Sequence, residues 1–151
     1  MRLAAAATEA VVRLIAAPVA AWHRGAMATT DSRRAVALAV LLGTAGTLHF
    51  TVPKPFDALV PKWLPGGRRR WTHLSGVAEA ACGLAVAVPR TRRLGALAAA
   101  LLFVAVFPGN VKMALDYQRA GKPAVWRAVA WGRLPLQWPL VAWALRVRDS
   151  A

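Results

Sequence analysis

Of the six acidic residues in this 151-residue sequence, only Glu79 lies deep inside an apolar stretch, about midway between Trp71 and Val88. In hydrocarbon an ionised carboxylate costs at least ~2.5–3.5 kcal/mol, so such a residue is expected to face a bundle interior, paired or protonated. Two roles fit that position: handling a proton or ligand, or fixing helix packing through a hydrogen bond across helices. Ser75 and Gly76 precede it by four and three positions, and Cys82 and Gly83 follow it by three and four, so all share its helical face. Further polar residues interrupt the other apolar stretches: His49 near the end of the first, Asn110 just past Pro108, and Gln137 between Pro135 and Pro139. His49, Glu79, Asn110 and Gln137 therefore form the candidate binding cluster, one residue per apolar segment.

Other chemistries fare less well. His49 and His73 would lie near the same membrane surface, where a bis-histidine haem or metal site is conceivable, but a hydrogen-bonded or headgroup-level histidine is the plainer reading of His73. No set of residues has metal-ligand spacing, so no metal is expected. Cys82 is the only cysteine, which rules out an internal disulfide or a Cys-x-x-Cys relay and, with it, a self-contained dithiol oxidase. Its expected role is that of a small core residue. With no nucleophile–base pair or cofactor motif in view, a stand-alone enzyme is the weakest reading.

The elements that must hold these residues are membrane-spanning helices. Hydrophobic residues make up 58% of the chain and the mean hydropathy is +0.42; a soluble domain is nearer half apolar, with its apolar residues scattered. Here they come in blocks separated by arginine, tryptophan and proline. At about 20 residues per span, the length leaves room for four crossings in one domain. The first span is expected over 35–50, with an end as late as Val52 also open, and with Asp31 or Ser32 as cap. Prolines 53, 55, 61 and 65 with Gly66 and Gly67 forbid a continuous helix over 51–70; Phe56, Leu59, Val60, Trp63 and Leu64 suit a loop with a short interfacial helix there. The second span is expected over 71–88, closed by the tight connection 89–93, and the third from Leu94 past Pro108 toward Tyr117. Proline at 108 leaves the Val104 carbonyl without its donor, which predicts a bend or a widened turn. Residues 118–123 read as a polar loop, 124–133 as an interfacial segment of mixed tryptophan and arginine, and 134–147 as the fourth span.

The net charge of +14 suggests nucleic acid as a partner. The basic residues, however, sit in short runs at the ends of apolar blocks, as at Arg33–Arg34, Arg68–Arg70, Arg90–Arg93 and Arg146–Arg148. Lysine and arginine flank membrane spans in that way, where they meet anionic headgroups. The expected partner is thus the lipid bilayer, with no nucleic acid. The 20 lysines and arginines divide evenly between the two sides of a four-span chain, so their bias does not orient it. On the side of the termini are Arg2, Arg13, Arg24, Arg33, Arg34, Arg90, Arg92, Arg93, Arg146 and Arg148. On the other are Lys54, Lys62, Lys112, Lys122, Arg68, Arg69, Arg70, Arg119, Arg127 and Arg133.

Residues 1–30 are alanine-rich and weakly hydrophobic. They suit a signal peptide with Leu14–Ala21 as its apolar core, an interfacial amphipathic helix, or a segment ahead of initiation at Met27. A non-cleaved, poorly ordered or amphipathic extension is the favoured reading, with 31–151 as the membrane domain.

Several runs then fall in order along the chain: Ala45-Gly-Thr-Leu-His-Phe50, Pro61-Lys-Trp-Leu-Pro65, Leu74-Ser-Gly-Val-Ala-Glu79, Pro89-Arg-Thr-Arg-Arg93, Phe103-Val-Ala-Val-Phe-Pro-Gly-Asn110 and Arg133-Leu-Pro-Leu-Gln137. Over roughly 35–147 this ordered set resembles the DoxX family of membrane proteins. The resemblance implies an all-α, polytopic integral membrane four-helix bundle with an interfacial loop or short helix between spans 1 and 2. It also implies matching polar positions at His49, Glu79, Asn110 and Gln137, a multi-pass place in the cell (plasma) membrane, and both termini cytoplasmic. In function it implies an accessory subunit of a membrane complex linked to quinone or thiol redox metabolism, with quinone as cofactor and other membrane or redox subunits as partners. The residues themselves also suit a binding protein or small transporter, whose intramembrane polar cluster holds a lipophilic or protonatable ligand.

Overall fold

The structure, a computed structural model, describes residues 30–151. The readings of the N-terminal extension as a signal peptide, an interfacial helix or a segment ahead of Met27 fall on residues outside that range. All regular structure among the described residues is helical. Helix α1 spans Thr30–Thr51, α2 Pro53–Asp57, α3 Arg68–Ala87, α4 Arg92–Arg119 and α5 Ala124–Asp149. Ala35–Ala151 form one compact unit. By length and composition α1 and α4 are apolar enough to cross a membrane. Helices α3 and α5, with 20 and 26 residues, have the length but carry more charge: α3 opens on Arg68–Arg70, and α5 contains Arg127, Arg133, Arg146 and Arg148.

Each of the four long helices buries one stripe, whereas α2 buries no residue. In α1 the buried positions are Ala35, Leu38, Leu42, Gly46 and His49; in α3 they are Thr72, Gly76, Gly83 and Val86. These spacings follow the helical repeat. The stripes meet without intervening side chains. A Cβ added to Gly46 would lie 2.8 Å from the Gly76 carbonyl oxygen and 2.9 Å from the Ala80 nitrogen. One added to Gly83 would lie 3.0 Å from the Ala39 carbonyl oxygen. Small residues allow such backbone contact, so the α1–α3 crossing is set by where glycine occurs. Elsewhere in α1, Thr47 is exposed and donates to the Gly43 carbonyl of its own helix at 2.8 Å. Phe50 is exposed as well.

The connections between the long helices α3, α4 and α5 are short. After α3, Thr91 Oγ1 donates to the Ala85 carbonyl at 2.8 Å and Arg92 Nε to the Val86 carbonyl at 3.1 Å. The last carbonyls of α3, which lack helical donors, are thus satisfied by the start of α4. Gly95 lets the two helices close at once: an added Cβ would meet Ala85 and Val86 backbone atoms at 2.7 Å. Between α4 and α5, Gly121 at φ +57° places the Lys122 amide 3.1 Å from the Tyr117 carbonyl oxygen, the bond that closes a helix through a left-handed residue.

Three sequence expectations need correction. Asp31 and Ser32 lie inside α1 and do not precede it; Asp31 instead pairs with Arg34 at 3.1 Å, one turn on. Pro108 sits within an unbroken α-helix with no widened turn near Val104. The 124–133 segment and the fourth span are one helix, in which Pro135 and Pro139 are both accommodated. The core lies in two parts. One, around Leu38, Leu42, Val86, Ala96, Phe103 and Val147, fills the end of the bundle near the α3–α4 turn. The other, around Met113, Ala114 and Ala130, fills the opposite end.

Candidate functional site

Between these two packed regions the helices leave a cavity of about 680 Å³, and His49, Glu79, Asn110 and Gln137 all line it. Its remaining wall is mainly apolar, with Leu41, Leu42, Leu102 and Leu140 at the inner end and Trp63, Leu64 and Trp71 toward the other. Pockets of this size and lining are the usual form of small-ligand sites.

The four polar residues are brought together as two pairs. The α1–α3 crossing sets His49 against Glu79: Nδ1 of His49 is 3.5 Å from Oε2 of Glu79. The same Nδ1 is 2.8 Å from the Ala45 carbonyl oxygen. A carbonyl only accepts, so Nδ1 carries a proton and donates it there, which makes Nε2 the acceptor of the neutral ring. The imidazole is held flat against Phe56, with ring centroids 3.8 Å apart. Ser75 Oγ donates to Glu79 Oε1 over a long 3.5 Å, while Glu79 Oε2 is buried with no hydrogen-bond partner. A buried acceptor left unpaired costs the full desolvation of the group. In the second pair, Asn110 Nδ2 donates to Gln137 Oε1 at 3.2 Å, and Gln137 Nε2 donates to the Phe103 carbonyl. This ties α5 to α4 across the cavity wall. The expectation that Glu79 faces inward within reach of at least one of its three polar counterparts agrees with this geometry, His49 being the neighbour.

His73 does not join His49; it stacks on Phe50, at 5.1 Å between centroids. No group of three or more His, Cys, Asp or Glu suited to a metal occurs among the described residues. Cys82 is half-buried and packs against the larger core cluster.

The residues after α1 act as a strap over one end of the cavity, contributing Phe56, Leu59, Val60, Pro61, Trp63 and Leu64 to its wall. Five side-chain hydrogen bonds hold the strap. Asp57 accepts from Arg69 Nη2 at 2.7 Å and Nε at 3.0 Å, and from Thr72 Oγ1 at 2.7 Å. Lys112 Nζ donates to the Ala58 carbonyl at 3.0 Å, and Trp71 Nε1 to the Pro65 carbonyl at 2.8 Å. The Arg69 guanidinium, aided by Thr72, keeps the Asp57 carboxyl below the usual carboxylate range. A depressed folded-state pKa stabilises the strap above the ordinary carboxylate value and is lost as pH falls through the depressed one. The strap is therefore expected to stay closed from neutral pH down to about pH 4 and to loosen below it. Tryptophan fluorescence during acid titration measures this. Asp57→Asn should give a strap already loose at neutral pH, and an identical acid profile for this variant and wild type would contradict the assignment.

Sequence reasoning missed two parts of the site. Asp57 was legible only as the one acid within a basic stretch from Lys54 to Arg70. Arg133, assigned to the interfacial segment, lines the cavity one helical turn before Gln137; that spacing of four residues was the available signal.

Residues 38–148 match a family described as a domain of unknown function (DUF8561), and the chain belongs to that family. No curated protein and no solved structure matches it.

Proposed function

We propose that this DUF8561 protein is a multi-pass protein of the cell membrane that binds a lipophilic ligand in the cavity lined by His49, Glu79, Asn110 and Gln137. The observation that carries the reading is convergence: polar residues from α1, α3, α4 and α5, spread over the length of the chain, open onto one largely apolar space. A role confined to packing would hydrogen-bond all of their polar atoms to one another, whereas Glu79 Oε2, 3.5 Å from His49 Nδ1, accepts no hydrogen bond. The apolar wall admits a hydrocarbon body, and the polar groups orient it.

Membrane residence is supported by the outer surface. Leu84 and Leu94 are 69% and 72% exposed, and Val36, Val40, Val77, Leu101, Val104 and Leu136 are also uncovered. Monomeric soluble proteins rarely leave so much apolar surface in water. Trp63, Trp126, Trp131 and Trp138 are exposed too, as tryptophans at a membrane interface are. On this reading α1, α3, α4 and α5 are the four crossings, α2 and the strap lie in the interface, and both termini are cytoplasmic. The DoxX resemblance supports the same topology. An accessory role in a quinone- or thiol-linked complex rests on that resemblance alone; the binding reading has the cavity in addition.

Native mass spectrometry after mild-detergent extraction tests the proposal. The wild-type protein should retain a small lipophilic molecule, and Ala78→Trp, which fills the cavity from α3, should lose it while keeping its helical content. A wild-type protein that carries nothing, or equal retention by the variant, overturns the binding reading. A reporter fused after Ala151 should read cytoplasmic; an external reading overturns the topology.

A further inference from the structure

We propose that the ligand is an anionic amphiphile, a single long hydrocarbon chain with an acidic head, whose head is received by Lys62, Arg68 and Arg133 and whose chain lies along the apolar wall of the cavity. The inference rests on the binding reading above and adds the chemical class of the ligand.

The charge inventory around the strap carries it. A second recess of about 700 Å³ adjoins the apolar cavity, shares Pro61, Trp63 and Pro108 with it, and is lined by Lys62, Arg68 and Lys112. The acids nearby are already engaged. Asp57 is taken by Arg69 and Thr72, and Asp116 by Lys112. Lys62, Arg68 and Arg133 form no ion pair within 4.0 Å among the described residues, whereas Arg69 and Lys112 do. Arg68 is half-buried, while Lys62 and Arg133 are exposed. Lys62 and Arg68 in the recess and Arg133 in the cavity wall are thus left outside any close ion pair, a composition that favours a carboxylate or phosphate. Guanidinium groups suit either oxyanion, since both match the planar fork of donors.

The interior sets the orientation. Glu79 lies in the cavity wall against His49, with 3.5 Å between its Oε2 and Nδ1, so the wall there offers an acidic head another acid in place of a cation, and the head is held at the mouth. Leu41, Leu42, Leu102 and Leu140 beyond it offer nothing to a charged group and suit a hydrocarbon chain. A long-chain ammonium would meet the cations first, and a long-chain alcohol would leave them unsatisfied.

Binding to the full-length protein in phosphatidylcholine nanodiscs tests the proposal with four probes of equal chain length: palmitate, palmitoyl lysophosphatidate, hexadecanol and hexadecyltrimethylammonium. At least one acid-headed probe should bind about tenfold more tightly than hexadecanol, since charge-assisted bonds supply that much, and the ammonium should bind most weakly. Which acid binds more tightly distinguishes a carboxylate head from a phosphate head. The triple variant K62Q, R68Q and R133Q should reduce acid binding to the level of the alcohol and leave hexadecanol unchanged. If hexadecanol or the ammonium matches the acids, and Ala78→Trp abolishes all binding, the cavity reading stands and the anionic class is overturned. A triple variant that weakens every probe equally also overturns the class. If no probe binds, both readings fall.

Discussion

Gly46→Ala is expected to destabilise the protein by about 1–3 kcal/mol, and Gly43→Ala, one turn earlier in the same helix, to stabilise it by up to about 1 kcal/mol. Both changes remove the same conformational freedom, and on an isolated helix both would help. They differ in what the new methyl group meets. At Gly46 it would lie 2.8 Å from the Gly76 carbonyl oxygen and 2.9 Å from the Ala80 nitrogen, whereas at Gly43 nothing lies within 4 Å. The neighbours of Gly46 are backbone atoms and have no rotamer to change, so α1 and α3 must separate. The added volume is then opposed by every contact along the crossing, which outweighs the gain in helix propensity. The effect should reach the site, because a Cβ at Gly76 would sit 2.7 Å from His49 Cβ. Thermal unfolding in detergent gives both signs in one experiment. An unchanged or raised melting temperature for Gly46→Ala would show that the helices do not cross at glycine.

Gln137→Leu should cost a similar ~1–3 kcal/mol, the penalty for leaving a buried polar group without its partner. The change deprives the Asn110 amide of its acceptor, Gln137 Oε1, in a place where Asn110 is only 4% exposed. Asn110→Leu leaves Gln137 Oε1 equally stranded. The double change to leucine removes both halves and strands neither, so it should recover much of the loss. Cross-helix hydrogen bonds in membranes average about 0.6 kcal/mol and reach about 1.7 in double-mutant cycles, and the coupling here should fall in that range. Strictly additive losses would mean that the two amides do not interact.

The helices were legible in the sequence because apolar runs and prolines mark them at the resolution of a turn. The second span, expected over 71–88, is α3 over Arg68–Ala87; the strap was visible in its four prolines. The inward face of Glu79 was legible for a local reason, since Gly76 and Gly83 at helical spacing leave room for a neighbouring backbone. What could not be read was pairing. Nothing near His49 or Glu79 in sequence says that they meet each other and that Asn110 meets Gln137, because that depends on how far one helix is rotated and slid against the next. The glycines at 46, 76 and 83 set that rotation, and their consequence is three-dimensional. The division expected between the 124–133 segment and the 134–147 span failed for another reason. Proline removes one hydrogen bond and crowds one carbonyl, and packing along the length of α5 outweighs that loss, so tertiary context keeps the helix whole.

The α3–α4 connection also bears on the order in which the chain acquires its site during synthesis. Thr91 and Arg92 bind the final carbonyls of α3 within seven residues of their own positions, and Gly95 closes the two helices at their base. Such short-range contacts form early, so this hairpin can be complete while the ribosome is still making α5. His49 and Glu79 are then already in place, but Gln137 and Arg133 are not. The final helix completes the second polar pair and adds Arg133 to the wall, so the cavity closes only when α5 packs. A chain arrested before Pro123 would therefore leave the Glu79 face of α3 without the wall that α5 supplies.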